Sequence, residues 1–181
     1  LSLMKDDNAK RELTHDINEM TAMLNSYVSF VRGEIPETIE NINLKNLIQN
    51  ICLSNDSKSH EINNDCKEDI KTSGRPLQIK RAIQNIIDNS KRYSSKINIE
   101  MEIILEECII SISDNGPGIP EKNYEDVFKP FFTLDPSRNK LKGESGLGMT
   151  IARDIIRSHG GEIRLTKSRL GGLKTAINLP L

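Results

Sequence analysis

The sequence predicts an α+β fold, a mixed sheet covered by helices in an α/β sandwich and preceded by one long helix. Three observations predict it. KINIEMEIIL and CIISISD are β-rich runs at hairpin spacing, and EIRLTKS with LKTAINL form a second such pair near the C-terminus. Isoleucines and leucines recur at helical spacing before and between those pairs, so helices and strands interleave. Hairpins require antiparallel strands, and amphipathic helices need a surface to cover, so the helices are expected on one face of the sheet.

Along the chain, Leu13, Ile17, Met20, Leu24, Val28 and Val31 form one stripe at near-heptad spacing, suited to a bundle or coiled coil. Gly33 and Pro36 stop that helix, and residues 34–42 read as a linker. Asn43 is a plausible N-cap for a helix carrying Leu44, Leu47, Ile48 and Ile51. Short strands are expected near 60–64 and 67–72. Pro76 sits at a first helical turn, where its missing N–H costs nothing, and opens a helix bearing Ile79, Ala82, Ile83, Ile86 and Ile87. Residues 115–146 form a long Gly- and Pro-rich loop, and a last helix spans about 147–159. The organisation is therefore a helical segment over 1–33, the linker, and one core-bearing domain over 43–181.

Composition excludes several function classes. A net charge of −1 gives no long-range pull toward nucleic acid or an anionic membrane. Tryptophan is absent and aromatics make up 4%, so base-stacking platforms are not expected. Cys52, Cys66 and Cys108 show no metal-ligand spacing and read as reduced thiols. No apolar run approaches a membrane span and no signal-peptide pattern opens the chain. Leu1 is not an initiator methionine, so a fragment is expected, with any membrane anchor lying upstream.

Three segments carry chemistry. In NIIDNSKRY, the side chains of Asn85, Asn89 and Arg92 fall within about 60° of one another on a helix, opposite the isoleucines. An amide oxygen is a hard ligand suited to Mg²⁺ when phosphates complete the shell, and a guanidinium clamps phosphate. In DNGPGIP, Asp114 closes a strand, where its carboxylate can accept from an exocyclic amine. In GESGLGM, Gly146 and Gly148 let backbone N–H groups approach an anion at a helix N-terminus. No GK[ST] follows, so this is not a Walker loop. Each segment alone fits a solvated face or an ordinary turn better than a ligand site.

Together and in this order, NIIDNSKRY, DNGPGI, FKPFF at 128–132 and SGLG resemble the N, G1, F and G2 boxes of sensor histidine kinases. The closing HGGEIRLTKSRLGGLKTAINLP is similar to that family's final helix and hairpin, so the resemblance spans residues 43–181. It implies the ATP-binding sandwich shared by gyrase, heat-shock chaperone, mismatch-repair and histidine-kinase proteins. By the same resemblance, Asn89 holds Mg²⁺, Asn85 lies by the phosphates as the catalytic amide, Arg92 contacts phosphate and Tyr93 lies near the nucleotide. Asp114 takes the adenine amine with Thr175 in support, and Gly116, Gly118 and Ile119 border the base. The segment from Phe128 through Phe131 and Phe132 to Arg138 forms a lid, closed at Ser145, Gly146, Leu147 and Gly148. Glu144 replaces the first glycine of the usual G2 pattern. Either it points away, with Gly143 relieving the turn, or nucleotide affinity falls; the first reading is preferred.

Water-activating relatives carry a glutamate four residues before the magnesium asparagine. Asn85 stands there and cannot take a proton, which favours transfer to an imidazole over hydrolysis. His15, in ELTHDINEM, has the acidic neighbour of the family's acceptor box but Met20 where that box has proline. Only 18 residues, roughly 27 Å of helix, separate it from Gly33, too few for a returning helix. Residues 12–34 instead resemble the second helix of a dimerisation hairpin, so His15 is read as a surface histidine and the phosphoacceptor as absent from the chain. The fragment is then expected to bind Mg-ATP without phosphorylating itself. The YVSFVRGE ending resembles osmolarity-sensor kinases, inner-membrane proteins that signal to an OmpR-like response regulator. The expected partners are a second copy through the N-terminal helix and that regulator, with the fragment itself cytoplasmic and out of contact with membrane or nucleic acid. The competing classes are a non-catalytic nucleotide-binding module and an ATP hydrolase of the same fold.

Overall fold

The structure, a computed structural model, describes Lys10, Leu13, Thr14, Ile17 and residues 37–55, 60–134 and 146–181. Apart from those first four residues, the helix expected over 1–33 lies outside the described residues, as do His15, Arg138, Gly143, Glu144 and Ser145.

Strands β1 (Glu40–Asn43), β2 (Glu61–Asn64), β3 (Lys71–Gly74), β4 (Lys96–Ile104), β5 (Glu107–Asp114), β6 (Glu162–Lys167) and β7 (Leu173–Pro180) alternate with helices α1 (Leu44–Asn55), α2 (Pro76–Tyr93) and α3 (Gly148–Ser158). Five strands form one sheet in the order β2-β4-β5-β7-β6, with β2 parallel to β4 and the other pairs antiparallel. Ile97, Ile99 and Met101 on β4, Cys108, Ile110 and Ile112 on β5, and Ile177 and Leu179 on β7 alternate along their strands and are buried. They pack with Leu44, Ile48 and Ile51 of α1, Ile79, Ile83, Ile86 and Ile87 of α2, and Ile151, Ala152 and Ile156 of α3 in one core. This is the mixed sheet with a helical cover that the periodicity implied.

Two local expectations shift. The second short strand begins at Lys71, not at 67, because its partner is Glu40–Asn43, at the end of the segment read as linker; Glu40 faces Gly74 and Asn43 faces Lys71. The loop over 115–146 contains two short 3₁₀ turns, Glu121–Asn123 and Asp126–Phe128.

Asn43 caps α1, its Oδ1 accepting from the N–H of Asn46 at 3.0 Å. For α2 the cap comes from far away in sequence. Pro76 occupies the first turn, Arg75 supplies no side-chain cap, and Glu37 accepts from the N–H groups of Leu77 at 2.5 Å and Gln78 at 3.2 Å. His159, at the end of α3, receives the N–H of Arg75 on Nε2 at 3.1 Å and donates from Nδ1 to the carbonyl of Ile155 at 2.7 Å. The start of α2 is thus fixed from two sides, which sets the face that α2 turns toward the site.

Candidate functional site

The sheet ends β5 at Asp114, and α2 crosses above that end. Its polar face and the N-terminus of α3 enclose a cavity of about 400 Å³. Asn85, Asn89, Arg92, Tyr93, Asp114, Gly118, Ile119, Gly146 and Gly148 line it, so most of the residues named from sequence meet in one place.

Asp114 is buried, and three donors fix its carboxylate. Oδ1 accepts from the N–H of Gly116 at 2.9 Å and of Leu173 at 3.1 Å, while Oδ2 meets the hydroxyl of Ser90 at 3.3 Å. With one long partner, Oδ2 is the oxygen with capacity left to accept from a ligand. Thr175 lies opposite Ile112, on the same sheet face as Asp114 and two pairs away, and no direct hydrogen bond joins the two. The support that the resemblance implies for Thr175 is therefore not a direct bond. Gly116 does not line the cavity; it holds the Asp114 side chain from behind.

Asn85 meets the other end. Its Nδ2 is buried and makes no hydrogen bond among the described residues, an unusual state for an amide and one that a ligand oxygen would relieve. Gly148, the first residue of α3, comes so close that a β-carbon there would lie 3.8 Å from Cβ of Asn85. Among the described residues no side chain caps α3, whose first turn and positive dipole end stand at the cavity wall. Leu147 is buried beneath that turn and anchors it, its carbonyl accepting from the N–H of Ile151 at 2.9 Å.

The FKPFF segment closes against the same glycine-rich turn. Phe128 is buried, with the Arg153 guanidinium 4.2 Å from its ring centroid and the Thr150 hydroxyl on its carbonyl at 2.9 Å. Phe131 has φ 63° and donates its N–H to the carbonyl of Gly146 at 3.1 Å. Gly146, at φ 62°, passes so near that a β-carbon would sit 2.9 Å from Cα of Phe131, a position only glycine fills without strain. Phe131 itself is half exposed and does not line the cavity; Phe132, Thr133 and Leu134 do.

Residues 74–181 match the family described as histidine kinase-, DNA gyrase B-, and HSP90-like ATPase. The chain belongs to this family. It is 30% identical over 184 residues to the sensor histidine kinase GtrS of Pseudomonas aeruginosa, a match covering 99% of this chain and 37% of that protein. It is 36% identical over 109 residues to the sensor histidine kinase CpxA of Escherichia coli, covering 60% of this chain and 24% of that protein. The catalytic domain of histidine kinase ThkA superposes with a TM-score of 0.70 at 25% identity, covering 79% of this chain and 95% of that one. The chain thus spans well under half the length of these curated relatives, and residues 74–181 form the ATPase-like domain of this family. No helix among the described residues is long and apolar enough to cross a membrane.

Sequence reasoning passed over several residues of this site. Arg81 and Asp88 share the α2 face with Asn85, and the 3.6-residue spacing that found the asparagines also reaches them. Ser90 and Leu173 act on Asp114 only because the sheet and α2 converge there. Met149, Ile151 and Val127 supply apolar wall.

Proposed function

We propose that the cleft binds Mg-ATP and presents its terminal phosphoryl group to a histidine on a dimerisation helix, for relay to a response-regulator aspartate. The observation that carries this reading is that Asn85 and Asn89, Asp114, and Gly146 and Gly148, spread over three sequence motifs, line one cavity. Asp114 Oδ2 accepts from the adenine amine, with Gly118 and Ile119 bordering the ring, Tyr93 beside it and Gly116 holding the Asp114 side chain from behind. Asn89 offers its amide oxygen to Mg²⁺, a hard ion satisfied by one such oxygen plus phosphates and water; when bound, the ion neutralises phosphate charge. Asn85 donates Nδ2 to a phosphate oxygen. Having no proton-accepting group, it leaves water unactivated, so the chain's own contribution is positioning and charge neutralisation. Arg92, the α3 N-terminus from Leu147 to Gly148, and the Arg138 and Ser145 of the lid complete the phosphate surroundings, with Phe131 at the lid hinge and Thr175 behind Asp114.

In the whole protein we read residues 1–33 as the second helix of a dimerisation hairpin, 34–42 as its linker and 43–181 as the catalytic domain. Likeness to GtrS over 99% of the chain supports assigning the N-terminal part to a kinase of this class. A homodimer, an OmpR-like regulator, the osmolarity-sensor branch and an inner-membrane anchor around a cytoplasmic catalytic part belong to the same reading.

Titration with a fluorescent ATP analogue and Mg²⁺ is expected to saturate at one site per chain. A longer chain carrying both dimerisation helices is expected to acquire an acid-labile phosphate, while the 181-residue chain is not. Absence of saturable binding, or phosphate on His15 of the shorter chain, would overturn the reading.

A further inference from the structure

The cavity has a direction. The Asp114 carboxylate meets α2 at Ser90, and the α3 N-terminus meets it at Asn85, roughly 7.5 Å earlier along the helix axis. A nucleotide with its base at Asp114 therefore runs its phosphates toward the start of α2. Arg81 lies one turn further in that direction, roughly 6 Å beyond Asn85 and about 40° around the helix, and its side chain lines the same cavity. Among the described residues, the cations in that lining are Arg81 and Arg92. Arg92 sits two residues past Ser90, so its long side chain reaches the base-proximal phosphates and not the terminal one. Arg153 on α3 lies outside that lining, its guanidinium at Glu125 at 3.1 Å and over the Phe128 ring. Asp88, the carboxylate nearest these asparagines in the wall, is tied to Gln84 at 2.8 Å, which in turn pairs with Asn55.

We propose that Arg81 is the terminal-phosphate contact of this site, and that its guanidinium sets the preference for ATP over ADP. This rests on the nucleotide reading of the cavity and adds to it a division of labour between two arginines. Arg92 meets the phosphates that both nucleotides share. Arg81 reaches only the one that distinguishes them. A guanidinium presents a fork that matches two phosphate oxygens at once, and removing such a charge-assisted contact weakens binding by about tenfold or more.

The test is calorimetric titration of the 181-residue chain with Mg²⁺ and either ADP or a non-hydrolysable ATP analogue. Arg81→Gln is expected to weaken the analogue at least about tenfold and ADP less than about twofold, with Arg81→Lys between Gln and wild type. Arg92→Ala is expected to weaken both alike. Titration stoichiometry reports the folded fraction, so the ratio of the two affinities stands even where a variant is less stable. Equal losses on both nucleotides in Arg81→Gln, or no loss on either, would overturn the proposal. Wild-type protein that bound neither nucleotide would instead overturn the reading of the cavity beneath it.

Discussion

The N–H of Leu173 donates to Oδ1 of Asp114 at 3.1 Å, and the chain reaches that position only because Gly172 precedes it. A β-carbon on Gly172 would sit 2.1 Å from the same oxygen and 2.5 Å from the nitrogen of Gly116. Neither neighbour has room to yield, since the carbonyl of Asp114 also accepts from the N–H of Gly172 at 3.1 Å. Gly172→Ala is expected to destabilise the domain by about 1–3 kcal/mol, the usual cost of forcing atoms into a packed site. It should also push the carboxylate out of place. Urea denaturation gives the first effect and analogue titration the second; unchanged values in both would show that the turn relaxes freely.

Asp114→Asn separates recognition from folding. Oδ1 of an asparagine still accepts from Gly116 and Leu173, and its Nδ2 can donate to Ser90 where Oδ2 formerly accepted. The acceptor offered to an adenine amine is then replaced by a donor. Affinity for the ATP analogue is expected to fall at least about tenfold while the urea midpoint moves little, because a buried polar mismatch costs about 1–3 kcal/mol. A variant that binds as tightly as wild type would remove Asp114 from base recognition.

These two neighbours of one carboxylate show where the sequence was legible. Asp114, Asn85 and Asn89 stand in short ordered motifs, and helical period alone put the asparagines on one face. The helices α2 and α3 and both hairpins follow from apolar spacing, since each buries one continuous stripe or one alternating face. The role of Gly172 was not legible, because its constraint comes from a strand 58 residues earlier in the chain. Strand β1 was read as linker, and β3 was placed too early, for a related reason. Each is four residues long and mostly polar, and only their mutual pairing defines their limits. Arg81 was missed although its period is right, since an arginine on an amphipathic helix ordinarily faces water.

The buried thiols give a pH prediction. Burial pushes Cys66 and Cys108 from an ordinary value of 9.0 up to about 12. An unfolded chain ionises them near the ordinary value, so between about pH 9 and 12 the folded state holds more protons than the unfolded state. Their contribution to stability is then complete below about pH 9 and declines as pH rises toward 12. Cys108→Ala is expected to lower stability at pH 7 by opening a small core void, yet to show a flatter decline above pH 9. Urea midpoints of both proteins across that range check it. Parallel curves would mean that Cys108 ionises alike in both states.

Glu37 offers the sharpest stability test, because one side chain serves the helix that carries most of the site's polar groups. Pro76 has no N–H, Arg75 provides no cap, and the next two donors both end on the Glu37 carboxylate. Its negative charge also faces the positive end of an 18-residue helix. Glu37→Ala removes both effects and is expected to cost about 1 kcal/mol, the typical price of a lost N-cap. Glu37→Gln keeps an acceptor but loses the charge and one of its two acceptor oxygens, so a smaller loss of about 0.3–1 kcal/mol is expected. Added salt should shrink the difference between wild type and Glu37→Gln, since a partly exposed charge is screened over roughly 8–10 Å at physiological ionic strength. Urea denaturation at two salt concentrations measures all three quantities, with the slope expected to stay constant because the buried surface does not change. If Glu37→Ala left the midpoint unmoved, the start of α2 would be held by His159 and Arg75 alone, and the segment before β1 would have no hold on the nucleotide helix.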